Sequence, residues 1–173
     1  MRNHSSLASV TLAVFLFSAL PSKAARIALF DRLAGTWDVT YDIYNKDGSV
    51  RPYHGQVIYT RILDGKALQE IWTSDIHNKI PQPFSTTLGF YDAQHEQWIA
   101  VSVMPPKACA SVVSGAEVNG SIVLTGRDPD GTIQRWTIDN VQEDSFLYHF
   151  DSSNDEGKTW RALGINHMQR HRS

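Results

Sequence analysis

Residues able to do chemistry are few in this chain, and their spacing is poor for it. Histidines stand at 54, 77, 95, 149, 167 and 171 beyond the N-terminal segment. None falls in a His-Glu-x-x-His pattern, and His167 and His171, four apart, would share a face only on a helix. Asp75-x-His77 offers one ligand or one proton donor from a loop, and a solvated loop explains the pair as well. Glu70 is a candidate interior carboxylate. Cys109 is the sole cysteine and follows Pro105-Pro106-Lys107-Ala108. Lys107 would lower a thiol pKa, but no helix start or partnered histidine accompanies it, so an incidental thiol is the simpler reading. No Gly-x-Ser-x-Gly elbow and no phosphate-cradling glycine loop is present. These patterns assign no catalytic residue, no metal site and no cofactor.

The aromatic residues are the stronger lead. Tyr41, Tyr59, Trp72, Phe90, Trp98 and Tyr148 fall in different stretches, with Trp136, Phe146 and Phe150 beside them. Aromatic side chains either fill a core or line a cavity for a small amphipathic molecule. Arg135 shares one strand face with Ile133 and Thr137, opposite Gln134, Trp136 and Ile138. Pointing inward it would anchor a ligand carboxylate; pointing outward, the commoner arrangement, it is a surface charge. Tyr41, Tyr59, Trp72, Phe90, Trp98, Arg135 and Tyr148 are the candidate ligand-binding set.

The elements that must position these residues read almost entirely as strands. Asp38-Val39-Thr40-Tyr41-Asp42-Ile43 alternates polar and apolar residues, the period of a half-buried strand. Strands are expected near 35–44, 51–62, 66–74, 85–91, 96–103, 111–117, 121–127, 132–139, 145–151 and 159–168. Asp64-Gly65, Asn119-Gly120, Asp128-Pro129-Asp130-Gly131 and Asn154-Asp155-Glu156-Gly157 supply the turns between them. The pattern is an all-β, antiparallel meander of about 8–10 strands, and closure into a barrel removes its exposed edges. A sandwich is the structural alternative. Arg26 to Ala34 reads as a short helical plug. Hairpin loops alternate between barrel ends, so 45–50, 75–84, 104–110, 128–131 and 152–158 share one end. These long loops mark the mouth, and the plug marks the other end.

Gly35-Thr36-Trp37 at the start of the first strand resembles the opening signature of the calycin barrels, the lipocalins and their relatives. Leu63-Asp64-Gly65-Lys66-Ala67-Leu68-Gln69-Glu70, Gly89-Phe90-Tyr91-Asp92 with Trp98, and Asp155-x-Gly157-Lys158-Thr159-Trp160 follow in the order seen in exported bacterial lipocalin-like proteins of unknown function. The resemblance covers most of the chain after the first 24 residues. It implies structural roles for Gly35, Trp37, Asp155, Gly157 and Trp160. It also implies an arginine near the chain end packed across the Trp37 indole, with Arg170 the best match and Arg172 next. Ser153 to Trp160 resembles the Asp box of sialidase-type propellers, a structural hairpin that a propeller would repeat; it occurs once here. The haem barrel nitrobindin is a further resemblance, with His167 where that family has its proximal histidine. This chain lacks that family's second glycine after Gly35-Thr36-Trp37.

Composition bounds the rest. Arg2, the apolar run from Leu7 to Leu20, and Ser22-Lys23-Ala24 read as a signal peptide over residues 1–24, leaving 25–173 as one barrel domain. A run of about 14 residues is short for a span of about 20, so no membrane span is expected after cleavage. The formal net charge of −2 and the lack of basic runs argue against nucleic acid as a partner. A single cysteine excludes an intrachain disulfide. The expected protein is a periplasmic or secreted barrel that binds a small, mainly apolar or amphipathic ligand. The alternatives are an enzyme on the same barrel built on Asp75, His77 or Glu70, a haem barrel, and a structural barrel without ligand.

Overall fold

The computed structural model describes residues 32–76 and 79–172. The expected signal segment, most of the expected plug and His77 lie outside these residues. The described chain forms ten strands: β1 (Gly35–Tyr44), β2 (Val50–Ile62), β3 (Ala67–Ser74), β4 (Gln82–Asp92), β5 (Gln97–Met104), β6 (Cys109–Val118), β7 (Ser121–Arg127), β8 (Ile133–Asp139), β9 (Ser145–Ser153) and β10 (Arg161–Arg170). One 3₁₀ turn, Pro105–Lys107, joins β5 to β6. Every strand pairs antiparallel with its sequence neighbours, and β1 pairs with β10, so the sheet is a closed ten-strand barrel. The expected calycin-like meander is the fold. The expected helical plug is not shown; its last residues, Arg32 and Leu33, form a turn.

Alternation drives the closure. In β1 the inward positions Trp37, Val39 and Tyr41 are 0%, 3% and 5% exposed, and Asp38, Thr40 and Asp42 take the opposite face. Each large apolar side chain buried this way contributes roughly 1.5–3 kcal/mol. Asn119 and Gly120 have φ of 53° and 83°, the pair of left-handed residues that a two-residue hairpin requires. The register shifts between Trp72 and Thr73 and between Ala162 and Gly164, and such bulges bend the wall.

The interior is not uniformly packed. Leu33, Trp37, Val57, Ile122 and Phe146 are fully buried and fill the end where β1 begins. Trp37 meets Phe146 edge-on at 4.7 Å. Toward the other end, β4, β5 and β6 invert the usual polarity. Their inward positions include Ser85, Thr87, Ser102 and Ser111, while Leu88, Phe90, Val101, Val103 and Val112 are exposed. Small inward residues on three adjacent strands leave space that large ones would fill.

Candidate ligand cavity

That space is a cavity of about 450 Å³. Its rim includes Ile76, Pro106, Lys107 and Cys109, residues of the odd-numbered loops or the strand ends beside them. The barrel therefore opens at the long-loop end. One wall is aromatic, built from Tyr41 (β1), Trp72 (β3), Phe84 (β4), Trp136 (β8), Tyr148 and Phe150 (β9). Tyr148 stacks obliquely on Phe150 at 4.6 Å and lies 5.6 Å from Trp72. Trp136 stands edge-on to Tyr148 at 6.3 Å. These contacts fix the rings as a connected surface and limit rotation of any one of them.

The facing wall is polar but largely self-satisfied. Thr87 donates its hydroxyl to Ser102 Oγ at 3.1 Å, and Ser85 donates to the Val103 carbonyl at 3.1 Å. Gln134 Oε1 accepts the Trp136 indole N–H at 3.0 Å, and Gln134 Nε2 donates to Asp128. Tyr41 donates to the Thr73 carbonyl at 2.6 Å. Burial, with the charge of Asp75 added, pushes the Tyr41 phenol well above its ordinary range, so it remains a neutral donor. Asn166 is 3% exposed and lines the cavity. Among the described residues no hydrogen bond satisfies its amide, which leaves a donor and an acceptor for a guest.

Beneath this surface lies Glu70, 3% exposed. Its Oε2 accepts the Trp72 indole N–H at 2.8 Å. Burial pushes its carboxyl up to about 7, and the indole hydrogen bond offsets this only in part. Thr87, opposite Glu70 across β3 and β4, lines the cavity.

Of the expected ligand-binding residues, Tyr41, Trp72 and Tyr148 line the cavity. Tyr59 and Trp98 are buried but pack within the solid part of the core. Phe90 and Arg135 correct the expectation. Phe90 shares the outward phase of β4 with Leu88 and is 39% exposed. Arg135 faces out, donating from Nη2 to Asp151 at 2.8 Å with its guanidinium 4.1 Å above the Trp160 ring. It clamps the last hairpin and is not a carboxylate anchor. His167 also faces out, with Nε2 3.1 Å from Asp42 Oδ2, so it presents no ligand to a haem inside the barrel. Asp75 accepts the His54 backbone N–H at 2.8 Å and ties β2 to the loop after β3. Sequence reasoning missed Phe84, Asn166 and the serine–threonine wall. The available signal was parity, since Ser85 and Thr87 share a phase with Gly89 and Tyr91, while Leu88 and Phe90 fall on the other; Phe84 lies beside the register shift and breaks that phase.

Arg170 lies over the Trp37 ring, and Arg172 pairs with Asp144 at 2.6 Å. Gly35 has φ of 125°, and a Cβ there would sit 2.9 Å from Arg170 Nη1. Asp155 accepts from Ser153 Oγ, Thr159 N and Thr159 Oγ1 at 2.7, 2.9 and 2.6 Å, the closed turn expected of the Asp-box-like motif.

A second hollow, an outer groove of about 530 Å³, runs past Asp38, Thr40, His54, His167 and Gln169. Several of its polar groups already have partners: His54 with Thr40, His167 with Asp42 at 3.1 Å, and Asp38 with His171 at 3.0 Å. The interior cavity, with its unpaired amide and aromatic wall, is the candidate site. Among the described residues no cluster of His, Cys, Asp and Glu fits a metal ion, and no helix is long and apolar enough to cross a membrane.

Comparison with known proteins places the fold. No family model matches the chain, and no curated protein matches it in sequence. Solved structures do match in shape. The S-type phycobiliprotein lyase CPES from Guillardia theta superposes with a TM-score of 0.60 at 14% identity, over 84% of this chain and 92% of that one. Rv2717c from M. tuberculosis superposes with a TM-score of 0.58 at 12% identity, over 85% of this chain and 98% of that one. At such identities the likeness is one of fold: a calycin-like ten-strand barrel.

Proposed function

We propose that the barrel binds one small, mainly apolar or amphipathic molecule in its interior cavity. The observation that carries this reading is the inverted polarity of β4–β6. Exposing Leu88, Val101 and Val112 while turning Ser85, Thr87 and Ser102 inward sacrifices hydrophobic burial. What it yields is an aromatic-walled space of about 450 Å³ open at one end, within the usual range for small-molecule sites. Six rings favour a guest with a flat apolar body, and Asn166 offers it one hydrogen-bonding pair. The Arg2, Leu7–Leu20 and Ser22-x-Ala24 arrangement supports export, which would make the protein a periplasmic or secreted carrier.

Fluorescence of the neutral apolar dye Nile red tests the reading. The folded protein should brighten and saturate the dye, and Ser85→Phe, which fills the cavity, should weaken binding at least tenfold while leaving thermal unfolding cooperative. Failure of the wild-type protein to bind, or equal binding by the filled variant, would overturn it. Native mass spectrometry of protein from the extracytoplasmic fraction would then weigh the natural guest.

A further inference from the structure

Most polar groups around the cavity have partners of their own, and Glu70 lacks the partner it most needs. It is a carboxyl buried to 3% exposure, and among the described residues no lysine, arginine or histidine pairs with it. The groups that face it are Tyr59 across β2, Thr87 across β4, Tyr148 from β9 and Trp72 on its own strand. The titratable ones are the two phenols, and burial with the charge of Glu70 pushes both well above their ordinary range. They stay neutral and provide no counter-charge. The Tyr59 hydroxyl, register-paired with Glu70, is itself buried without a partner. An ionised carboxylate kept out of water without a cation is costly. A core that retains this carboxyl directly behind a ligand cavity holds a latent negative charge, which a cationic guest would draw out by favouring the ionised form.

The rings in front of Glu70 complement the same charge. Trp72 and Tyr148 line the cavity 5.6 Å apart, and Tyr41 lies 6.2 Å from Trp72. Aromatic faces attract cations, most strongly where water is excluded. Among the lining residues Lys107 is a free-standing cation, but it stands at the mouth, on the 3₁₀ turn between β5 and β6. The deep end of the cavity is thus electron-rich and backed by a carboxyl that a cation would hold ionised. We infer that the cavity selects an organic cation, a protonated amine on a flat apolar body, with its ammonium against Trp72 and Tyr148 and its charge neutralised by Glu70. This names the ligand class of the site proposed above and rests on that reading. A ligand cation favours the ionised carboxyl, so binding releases a proton from Glu70 when the pH is below about 7. Affinity then falls as the medium is acidified.

Tryptamine and tryptophol test this, since they share an indole and a two-carbon arm and differ in ammonium against hydroxyl. Calorimetric titration at pH 7.5 should show tryptamine binding at least tenfold more tightly. Glu70→Gln, which keeps an acceptor for the Trp72 indole, should shrink that preference to within about twofold. Wild-type affinity for tryptamine should fall severalfold between pH 7.5 and pH 5.5. Titration at pH 6.5 in two buffers of different ionisation enthalpy should reveal a released proton. Should Glu70→Gln unfold, the pH profile and proton release of the unmodified protein still decide. Equal binding of the two compounds, or an amine preference that survives Glu70→Gln, overturns the cation assignment. Binding of Nile red with neither indole compound bound also overturns it and leaves the carrier reading intact. Binding of none of the three overturns both.

Discussion

The guanidinium carbon of Arg170 lies 4.1 Å above the Trp37 ring, which joins the last strand to the first. The same side chain donates to the backbone carbonyls of Arg32 at 3.0 Å, Ala34 at 3.2 Å and Glu143 at 2.8 Å. The indole N–H donates in turn to the Leu33 carbonyl at 2.7 Å. One cation thus holds the chain entry, the β8–β9 loop and the barrel floor together. Trp37→Ala should cost about 3–5 kcal/mol, as for other fully buried large side chains. Arg170→Ala should cost less. A double-mutant cycle with Trp37→Phe and Arg170→Ala, read by urea denaturation, should show coupling of about 0.5–2 kcal/mol. Strict additivity would show that the stacked geometry contributes nothing to closure.

Glu70 should make stability depend on pH in the unusual direction for a carboxylate. Its folded pKa of about 7 lies above the unfolded 4.5, so the folded state holds the proton more tightly. The favourable contribution is complete below pH 4.5 and is lost as pH rises through 7, a swing of about 3 kcal/mol. Glu70→Gln should therefore be more stable than wild type at pH 8, with the difference closing toward pH 5. Thermal melts at the two pH values measure it, and a constant difference would show that the carboxyl does not titrate in the folded protein.

Asp155 should act with the opposite sign. Hydrogen bonds from Thr159 and Ser153 hold its carboxyl down to about 2, against 3.8 for the free group. Its contribution is present above pH 3.8 and is lost as pH falls through 2. Asp155→Asn should flatten the acid limb of the stability profile between pH 4 and pH 2. Because this carboxyl lies at the surface, the effect should weaken in high salt. An unchanged acid limb in the variant would remove the turn from the account of acid sensitivity.

Entry to the cavity should depend on one end of the barrel only. Lys107→Trp, on the 3₁₀ turn at the mouth, should slow Nile red binding at least tenfold. Asn119→Gly, in the hairpin at the far end, should leave the rate unchanged, since φ of 53° at that position suits glycine. Stopped-flow fluorescence distinguishes them, and the reverse pattern would mean that the guest enters elsewhere.

Much of this architecture was legible in the sequence. The expected strands at 35–44 and 121–127 coincide with β1 and β7, because strict alternation and Gly-containing turns bound them. Loop parity located the mouth because each hairpin reverses direction and the strand count was right. The cavity wall was harder to read. Phe90 looks like a ligand contact by residue type, yet its phase places it on the outer face. Ser85, Thr87 and Asn166 look like surface positions by type, yet their phase turns them inward. Polarity and phase disagree on these strands, and phase wins because closure of the ring fixes which side is inside. Glu70 reads as an interior carboxylate from the sequence, but its lack of a counter-ion depends on the neighbours that closure supplies.

The seam between β1 and β10 also has a consequence for biosynthesis. Every other seam joins strands made one after another, so nine of the ten can zip as hairpins while the chain emerges. The last must wait for partners as distant as Ala34 and Arg170, 136 residues apart. Until then β1 presents an open edge, and the nascent sheet is a curling ribbon with a sticky border. The ring closes only when its final strand arrives, so a ribosome stalled before β10 would release an aggregation-prone sheet. A chain rejoined across that seam and opened at Asn119-Gly120 would begin with the slow junction already made.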